Sequence, residues 1–326
     1  VERILIQNIK GFKIGHAEHL DGITGCTTIL CPEGAIAGVD VRGGAPGTRE
    51  TDLLSSENLV DTIHAMFMSG GSAYGLDVGS GIMKFLEEQQ IGFDVQVARV
   101  PIVPGAVLFD LAVGSPTIRP NQKLGYTAAQ NAYHLADERE GSIGAGTGAT
   151  VGKCLGMDYS MKGGIGTFAV KVGELQIGAV VAVNSFGDIY DPETGEIIAG
   201  VYDQKKQSYL NTESIMFEAP PDQQETNRFS GNTSIATVLT NAKLTKADAN
   251  KMSSMAHDGF ARTMRPAHSM VDGDTIFTMS TNEIDADLNV VGHLASYVVQ
   301  QAVVRAIKEA DSLGGIISYK DLNKVK

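Results

Sequence analysis

Thr233 stands where a polar stretch, QKKQSYLNTESIMFEAPPDQQETNRFSGN, gives way to the strand-like run Thr233-Ser-Ile-Ala-Thr-Val-Leu-Thr. A threonine at such a junction can turn its hydroxyl on the preceding carbonyl, shifting the peptide to an ester that water then hydrolyses. The cut, between Asn232 and Thr233, leaves Thr233 as a new N-terminus. Its α-amine, with an intrinsic pKa of about 7.7–8.0, is then a base beside the hydroxyl that it must activate. The plainer reading of the same residue is a threonine opening a strand. Asp272-Gly-Asp274 is most simply a turn. As two carboxylates projected by a glycine it could instead orient a nucleophile's amine, and the further ligands of a calcium loop are absent from its surroundings.

Other residues suggest chemistry that their spacing does not sustain. GAGTGATVGKC, Gly144–Cys154, resembles a phosphate-binding loop, but Thr147 replaces its first glycine and Cys154 the magnesium-binding hydroxyl. A turn that brings backbone close to a site is the better reading, with Lys153 placed to pair with developing negative charge. His16, His19, Cys26 and Cys31 could be assembled into a zinc set on ligand type alone. The two cysteines bracket an apolar strand and read as core thiols, and the histidines fall in a polar loop. Ser72 in GGSAY lacks the last glycine of a nucleophile elbow and reads as a helix N-cap.

These groups need a scaffold. The 326 residues carry 26 Lys+Arg against 38 Asp+Glu, a net charge of −12 that argues against a nucleic-acid footprint. At 43% hydrophobic and 20% charged the chain can bury a substantial core. Its 38 glycines cluster without a period, as tight turns beside a site would. Three cysteines and an N-terminal stretch without a leader pattern suggest a cytoplasmic protein, and no run of the sequence is apolar for the length of a membrane span.

The β-branched runs Cys26–Cys31 and Ala35–Val41 read as strands. Leu59, Ile63, Met66 and Phe67 share a helical face, and a second helix carries Leu76, Val78, Ile82, Met83, Phe85 and Leu86. Lys123–Asp137 forms a third. Ile165–Val172, Leu175–Val183 and Asp188–Tyr190 read as consecutive antiparallel strands with tight turns. The polar stretch before Thr233 reads, in its second half, as an exposed mobile loop. Thr245 caps a helix with Asp248 in capping-box spacing, Thr275–Ser280 is a strand, and a long helix runs from about Asp287 to Asp311. The mixture favours an α+β protein.

In order along the chain, GFKIGH, GCTTILCPEGAIAGVDVRGGAPGTRETDLL, SGGSAYGLD, VPIVPGAVLFDL, GAGTGATVGK, KGGIGT, VAVNSFGD and NTSIATVLTNA together resemble one family. It is the self-processing aminopeptidase family of the L-aminopeptidase/D-esterases, the β-aminopeptidases and the nylon-oligomer (6-aminohexanoate-oligomer) hydrolases. The resemblance implies an α+β fold, a four-layer αββα sandwich like that of N-terminal-nucleophile hydrolases but differently connected. It implies one domain, cut into residues 1–232 and 233–326, with Thr233 as nucleophile on small peptide-like amides. Asn184 would donate to the oxyanion, Lys153 matches a lysine of the nylon-hydrolase branch, and Asp272 and Asp274 would orient the nucleophile. Neither cofactor nor metal is implied, and relatives assemble as tetramers or larger rings of processed protomers. Phe109 departs from the pattern, since nylon-hydrolase relatives carry tyrosine there, and its missing hydroxyl counts against nylon-oligomer activity. An alternative on the same nucleophile logic is an ornithine-acetyltransferase-like acyl transferase. At the expected cut the charge divides unevenly, for the first 232 residues carry all of the −12 and the last 94 are neutral.

Overall fold

The computed structural model describes residues 1–135, 137–218 and 231–324. Most of the stretch read as a mobile loop lies outside the described residues. The strands that matter to the site are β1 (Glu2–Ile4), β2 (Lys13–His19), β3 (Thr24–Val41), β4 (Thr62–Ser69), β5 (Gly164–Val172), β6 (Leu175–Val183), β7 (Ile235–Ala242) and β8 (Thr275–Ile284). The helices packed on them are α1 (Val78–Glu88), α2 (Gln122–His134), α3 (Lys246–Thr263) and α4 (Leu288–Glu309). Among the described residues these strands, with short pieces at Thr48–Arg49 and Gly105–Val107, form one ten-stranded path. Its order is β1-β5-β6-β7-β8-β3-β4, with β2 beside the first half of β3.

The path folds back on itself through β3. The two strands expected at Cys26–Cys31 and Ala35–Val41 are one 18-residue strand. Its first half pairs with β2, its second half with β8, and the register against β4 slips between Leu30 and Ala35. Pro32, which has no N–H for a ladder, and Gly34 at φ 89° sit in that slip and let the strand pass from one layer to the next.

Side chains alternate along the strands, and among the described residues those of β4, β6, β7 and β8 sort into three of the chain's cores. Met66 and Met68 of β4 meet Val180, Leu239 and Phe277 of β6, β7 and β8 between the two sheet layers. Ala65 and Phe67 of β4 face the other way, onto Val78, Ile82 and Phe85 of α1 and Ala128 and Ala132 of α2. On the far side Ile177, Val181 and Val238 pack under Met252, Ala256 and Phe260 of α3 and Val298, Ala302 and Val303 of α4. The layers therefore run helix, sheet, sheet, helix. α4 is long and apolar enough to cross a membrane, but two thirds of that stretch is buried, much of it against β5 and β6.

Several glycines serve these layers by steric absence. A Cβ on Gly38 of β3 would come within 2.2 Å of the Asn250 amide nitrogen in α3. On Gly166 of β5 it would come within 2.3 Å of backbone atoms of Ala302 and Ala306 in α4. The capping box at Thr245 is formed as expected, with Asp248 accepting from the Thr245 amide at 3.0 Å. It starts the crossover helix that lets β7 and β8 run parallel as neighbours.

Three expected elements differ. Residues 62–69 are strand, not helix, because β4 is buried on both faces and its apolar residues do not alternate with polar ones. Asp188–Tyr190 leaves the hairpin sheet and pairs with Ile197–Ala199 and Met264–Arg265. Ser72 is not an N-cap. Gly71 holds that place at φ 85°, and no side chain caps the turn.

Candidate active site

Three strand ends converge where the chemistry was expected. β6 runs antiparallel to β7, and β7 parallel to β8, with Ala182 opposite Ile235 and Ile235 opposite Thr275. Asn184 follows the end of β6, Thr233 precedes the start of β7, and Asp272-Gly-Asp274 leads directly into β8. The three segments therefore meet at one edge of the inner layers. All of these side chains are buried, Thr233 being 4% exposed.

The Thr233 amide donates to the Asn184 carbonyl at 3.0 Å, and the Thr233 hydroxyl lies against the carbonyl oxygen of Asn232. That same oxygen accepts the Gly273 N–H at 3.0 Å. Asn232 and Asp272 form a single parallel bridge there, so the residue before Thr233 is held in extended register against the Asp-Gly-Asp turn. A Cβ on Gly273 would stand 2.5 Å from the Thr233 hydroxyl, so only glycine permits this approach.

Lys153 enters from the glycine-rich segment. Gly152 at φ 69° turns the chain, and the Gly152 and Lys153 amides bond to the Gly187 and Phe186 carbonyls at 3.1 Å each. Lys153 Nζ then donates to Asn184 Oδ1 at 3.0 Å, the Asn184 carbonyl at 3.3 Å and the Gly231 carbonyl at 3.2 Å. Asn184 Oδ1 also accepts the Thr150 N–H at 2.9 Å, which aims its amide Nδ2 toward the Phe109 carbonyl at 3.1 Å and the Gly231 carbonyl at 3.4 Å. The glycine-rich segment is a turn brought close to the site, with the Ala145, Gly146, Thr147 and Thr150 amides bonded to Thr27, Ile143, Gly144 and Asn184. Beneath it the buried Lys162 ammonium ties down the carbonyls of Gly146, Thr147 and Ala149 at 3.3, 2.9 and 2.7 Å.

The two carboxylates act through neighbours in the intact chain. Asp274 accepts the Ser234 N–H at 2.9 Å and the His268 amide at 3.0 Å, and its Oδ2 lies 2.9 Å from His268 Nδ1. Asp272 accepts the Phe186 N–H at 3.2 Å and both the amide and hydroxyl of Ser269. Among the described residues neither carboxylate bonds directly to Thr233. Burial, with the charge of Asp274 beside it, pushes the Asp272 carboxyl up to about 6. Burial also pushes the Lys153 ammonium down to about 7, against the pull of Asp272, Asp110 and Asp274. Neither group is therefore held firmly in its usual charged form near neutrality.

The zinc ligand set does not assemble. His16 lies inside β2, not in a polar loop, buried with its Nδ1 2.9 Å from the Thr27 hydroxyl. Cys26 and Cys31 belong to different cores, the first facing the helices and the second between the sheets. Among the described residues no three metal-ligating side chains cluster.

The chain as a whole has counterparts among known proteins. A model of Peptidase family S58 matches residues 5–319. The chain belongs to peptidase family S58. It is accordingly a hydrolase of amide bonds. This S58 chain is 38% identical over 344 residues to an uncharacterized aminopeptidase of Mycobacterium leprae (strain TN), the match covering 96% of the chain and 92% of the relative. It is 31% identical over 316 residues to a 6-aminohexanoate-oligomer endohydrolase of Kocuria sp. (strain KY2), covering 91% and 84%. Among solved structures, the L-aminopeptidase D-Ala-esterase/amidase from Ochrobactrum anthropi superposes with a TM-score of 0.68 at 18% identity, covering 98% of this chain and 92% of that one. A Burkholderia sp. beta-aminopeptidase gives 0.67 at 16% identity, covering 98% and 92%. The α+β, αββα architecture of the S58 chain is thus that of the N-terminal-nucleophile-like aminopeptidases.

Sequence reasoning missed several groups at this S58 site. The Gly273 N–H is backbone and leaves no mark in residue types. Ser269 and His268 were visible in HSMVDGD, where a hydroxyl three residues before Asp272 is the spacing of a local side-chain turn, but the motif was read from Asp272 onward.

Proposed function

We propose that the protein is an amide hydrolase activated by its own cleavage between Asn232 and Thr233, with Thr233 as the nucleophile. The observation that carries this reading is the Asn232 carbonyl, which has the Thr233 hydroxyl against it and the Gly273 N–H on its oxygen at 3.0 Å. As Thr233 Oγ1 attacks the Asn232 carbon, charge builds on an oxygen already held by a fixed donor. The hydroxyl proton passes to the departing Thr233 nitrogen, the C–N bond breaks and an ester remains. Water hydrolyses that ester, leaving an Asn232 carboxylate and a Thr233 with free amine and free hydroxyl. Lys153, partly neutral near pH 7, is the group with proton-accepting capacity beside this bond.

In turnover the freed amine takes the hydroxyl proton and passes it to the substrate's leaving nitrogen, and water releases the acyl group. Asn184, Lys153, Asp272 and Asp274 hold this arrangement through the contacts described above. Before the cut, Asn232 and Thr233 are 2% and 4% exposed, so the chain's own segment closes the site to substrate. The named relatives bear on substrate class by analogy only, as aminopeptidase on one side and oligomer endohydrolase on the other. A cytoplasmic location and a homo-oligomer of processed protomers belong to the same reading.

Intact mass and N-terminal sequencing of the purified protein test it. Two fragments are expected, the smaller beginning at Thr233, while Thr233→Ala stays single-chain and inactive and Thr233→Ser is processed. A wild-type chain that stays whole yet hydrolyses amides would overturn the nucleophile assignment.

A further inference from the structure

In the intact chain the nucleophile faces a bond whose acyl side is the segment Gly231–Asn232, held by groups that remain in place after the cut. Self-cleavage reports on this half of the substrate site alone, because the leaving nitrogen is Thr233's own. Resting on the nucleophile assignment above, we propose that Gly231–Asn232 is a built-in stand-in for the acyl half of the substrate. The protein then prefers peptide-like amides with a further amide carbonyl one residue upstream of the scissile bond and no side chain at that upstream residue.

Two donors make the first requirement. Lys153 Nζ at 3.2 Å and Asn184 Nδ2 at 3.4 Å both point at the Gly231 carbonyl, which belongs to the amide preceding the scissile residue. A substrate with a free N-terminus next to its scissile carbonyl supplies no acceptor there, so Lys153 Nζ keeps only its bonds to Asn184 and Asn184 Nδ2 only its bond to the Phe109 carbonyl. It also sets its own ammonium beside that of Lys153, and removal of such paired polar groups is what sites of this kind discriminate most strongly. The parallel bridge between Asn232 and Asp272 asks for the same extended chain, with the Gly273 N–H on the scissile carbonyl.

Phe109 makes the second requirement. A Cβ on Gly231 would fall 2.0 Å from its ring, and Gly231 adopts φ 42°, where side-chain-bearing residues are disfavoured. The upstream residue must therefore be glycine-like. The scissile residue is fitted differently, by a side chain: the Asn232 amide donates to the Val271 carbonyl at 3.3 Å.

The test uses processed wild-type enzyme and three p-nitroanilides of asparagine: one with a free amine, one extended as N-acetyl-Gly-Asn, one as N-acetyl-Ala-Asn. N-acetyl-Gly-Asn should exceed the free-amine substrate by about tenfold or more in kcat/KM, and N-acetyl-Ala-Asn by a similar factor. Phe109→Ala should bring the alanine and glycine substrates to within about threefold of each other. Equal or faster hydrolysis of the free-amine substrate, or indifference of wild type to alanine at the upstream position, would overturn the proposal. So would a processed enzyme that cleaves none of the three. A chain that never self-cleaves would instead remove the nucleophile assignment, a different result read on the same sample before any substrate is added.

Discussion

Gly273→Ala separates a donor from a scaffold. The new methyl group would lie 2.5 Å from the Thr233 hydroxyl and 2.7 Å from the Ala45 carbonyl oxygen, both well inside contact distance. Ala45 is fixed because its own amide bonds to the Asp272 carbonyl at 2.8 Å, so the strain falls on Thr233 and on the position of the Gly273 N–H. Gly273 is not among the residues at positive φ, so alanine adds little backbone strain, and the overpacking should cost the fold about 1–3 kcal/mol. The chemistry should lose more. Withdrawing one oxyanion donor costs about 3–4 kcal/mol of transition-state stabilisation, or roughly 10²–10³ in rate. A misplacement of about 1 Å costs about 10² by itself. The assay is the appearance of the smaller fragment on denaturing gels and by intact mass over time, with Thr233→Ala as the uncut reference. A Gly273→Ala protein that unfolds at the wild-type temperature and cuts within about threefold of the wild-type rate would refute the assignment of that N–H to the oxyanion.

Self-cleavage should quicken as pH rises through about 7, where buried Lys153 gives up its proton, and Lys153→Met should lose that inflection in a stopped-time gel series. Lys153 also makes stability depend on pH. Its proton affinity falls from 10.5 in the unfolded chain to about 7 when folded, so the unfolded chain holds the extra proton between those values and stability rises with pH across that window. Urea midpoints at both ends of the window should show a smaller rise in Lys153→Met. Lys162→Met should cost about 2–4 kcal/mol in urea unfolding, since three buried carbonyls at Gly146, Thr147 and Ala149 lose their donor. Ser269→Ala removes a donor that favours the charged form of Asp272, so the Asp272 carboxyl should rise further above about 6 and the acid limb of the processing profile should move to higher pH.

What the sequence made legible follows the physics of each signal. Thr233, Asn184, Lys153, Asp272 and Asp274 are named by residue type and order, and the structure brings all five to one sheet edge. The hairpin of β5 and β6, the capped α3 and the long α4 have strong local patterns and are found as expected. β4 carries a helix-like signal because Ile63, Met66 and Phe67 fall at helical spacing, while burial on both faces erases the alternation that would mark a strand. The union of Cys26–Cys31 and Ala35–Val41 in one strand is hidden by Pro32 and Gly34, which punctuate a sequence without ending its ladder. The Gly273 N–H and the aim of Asn184, set by the Thr150 amide, are backbone matters that residue types do not encode.

Under the proposed cut between Asn232 and Thr233, the position of β7 and β8 in the sheet decides how the two fragments would stay together. Both strands belong to the fragment from 233 onward, and both are flanked by strands of the other, β6 on one side and β3 on the other. The smaller fragment is thus wedged into the larger one, paired along both edges, and cannot peel away as an edge strand would. Before the cut, unfolding and refolding join the same two ends of one molecule. Afterwards refolding becomes a meeting of two molecules, second order in concentration, into a gap that the larger fragment has no reason to keep open alone. On that proposal the instructions for assembling the sheet would be present in the precursor and spent in using them, and the lifetime of the cut protein would be set by how slowly it opens.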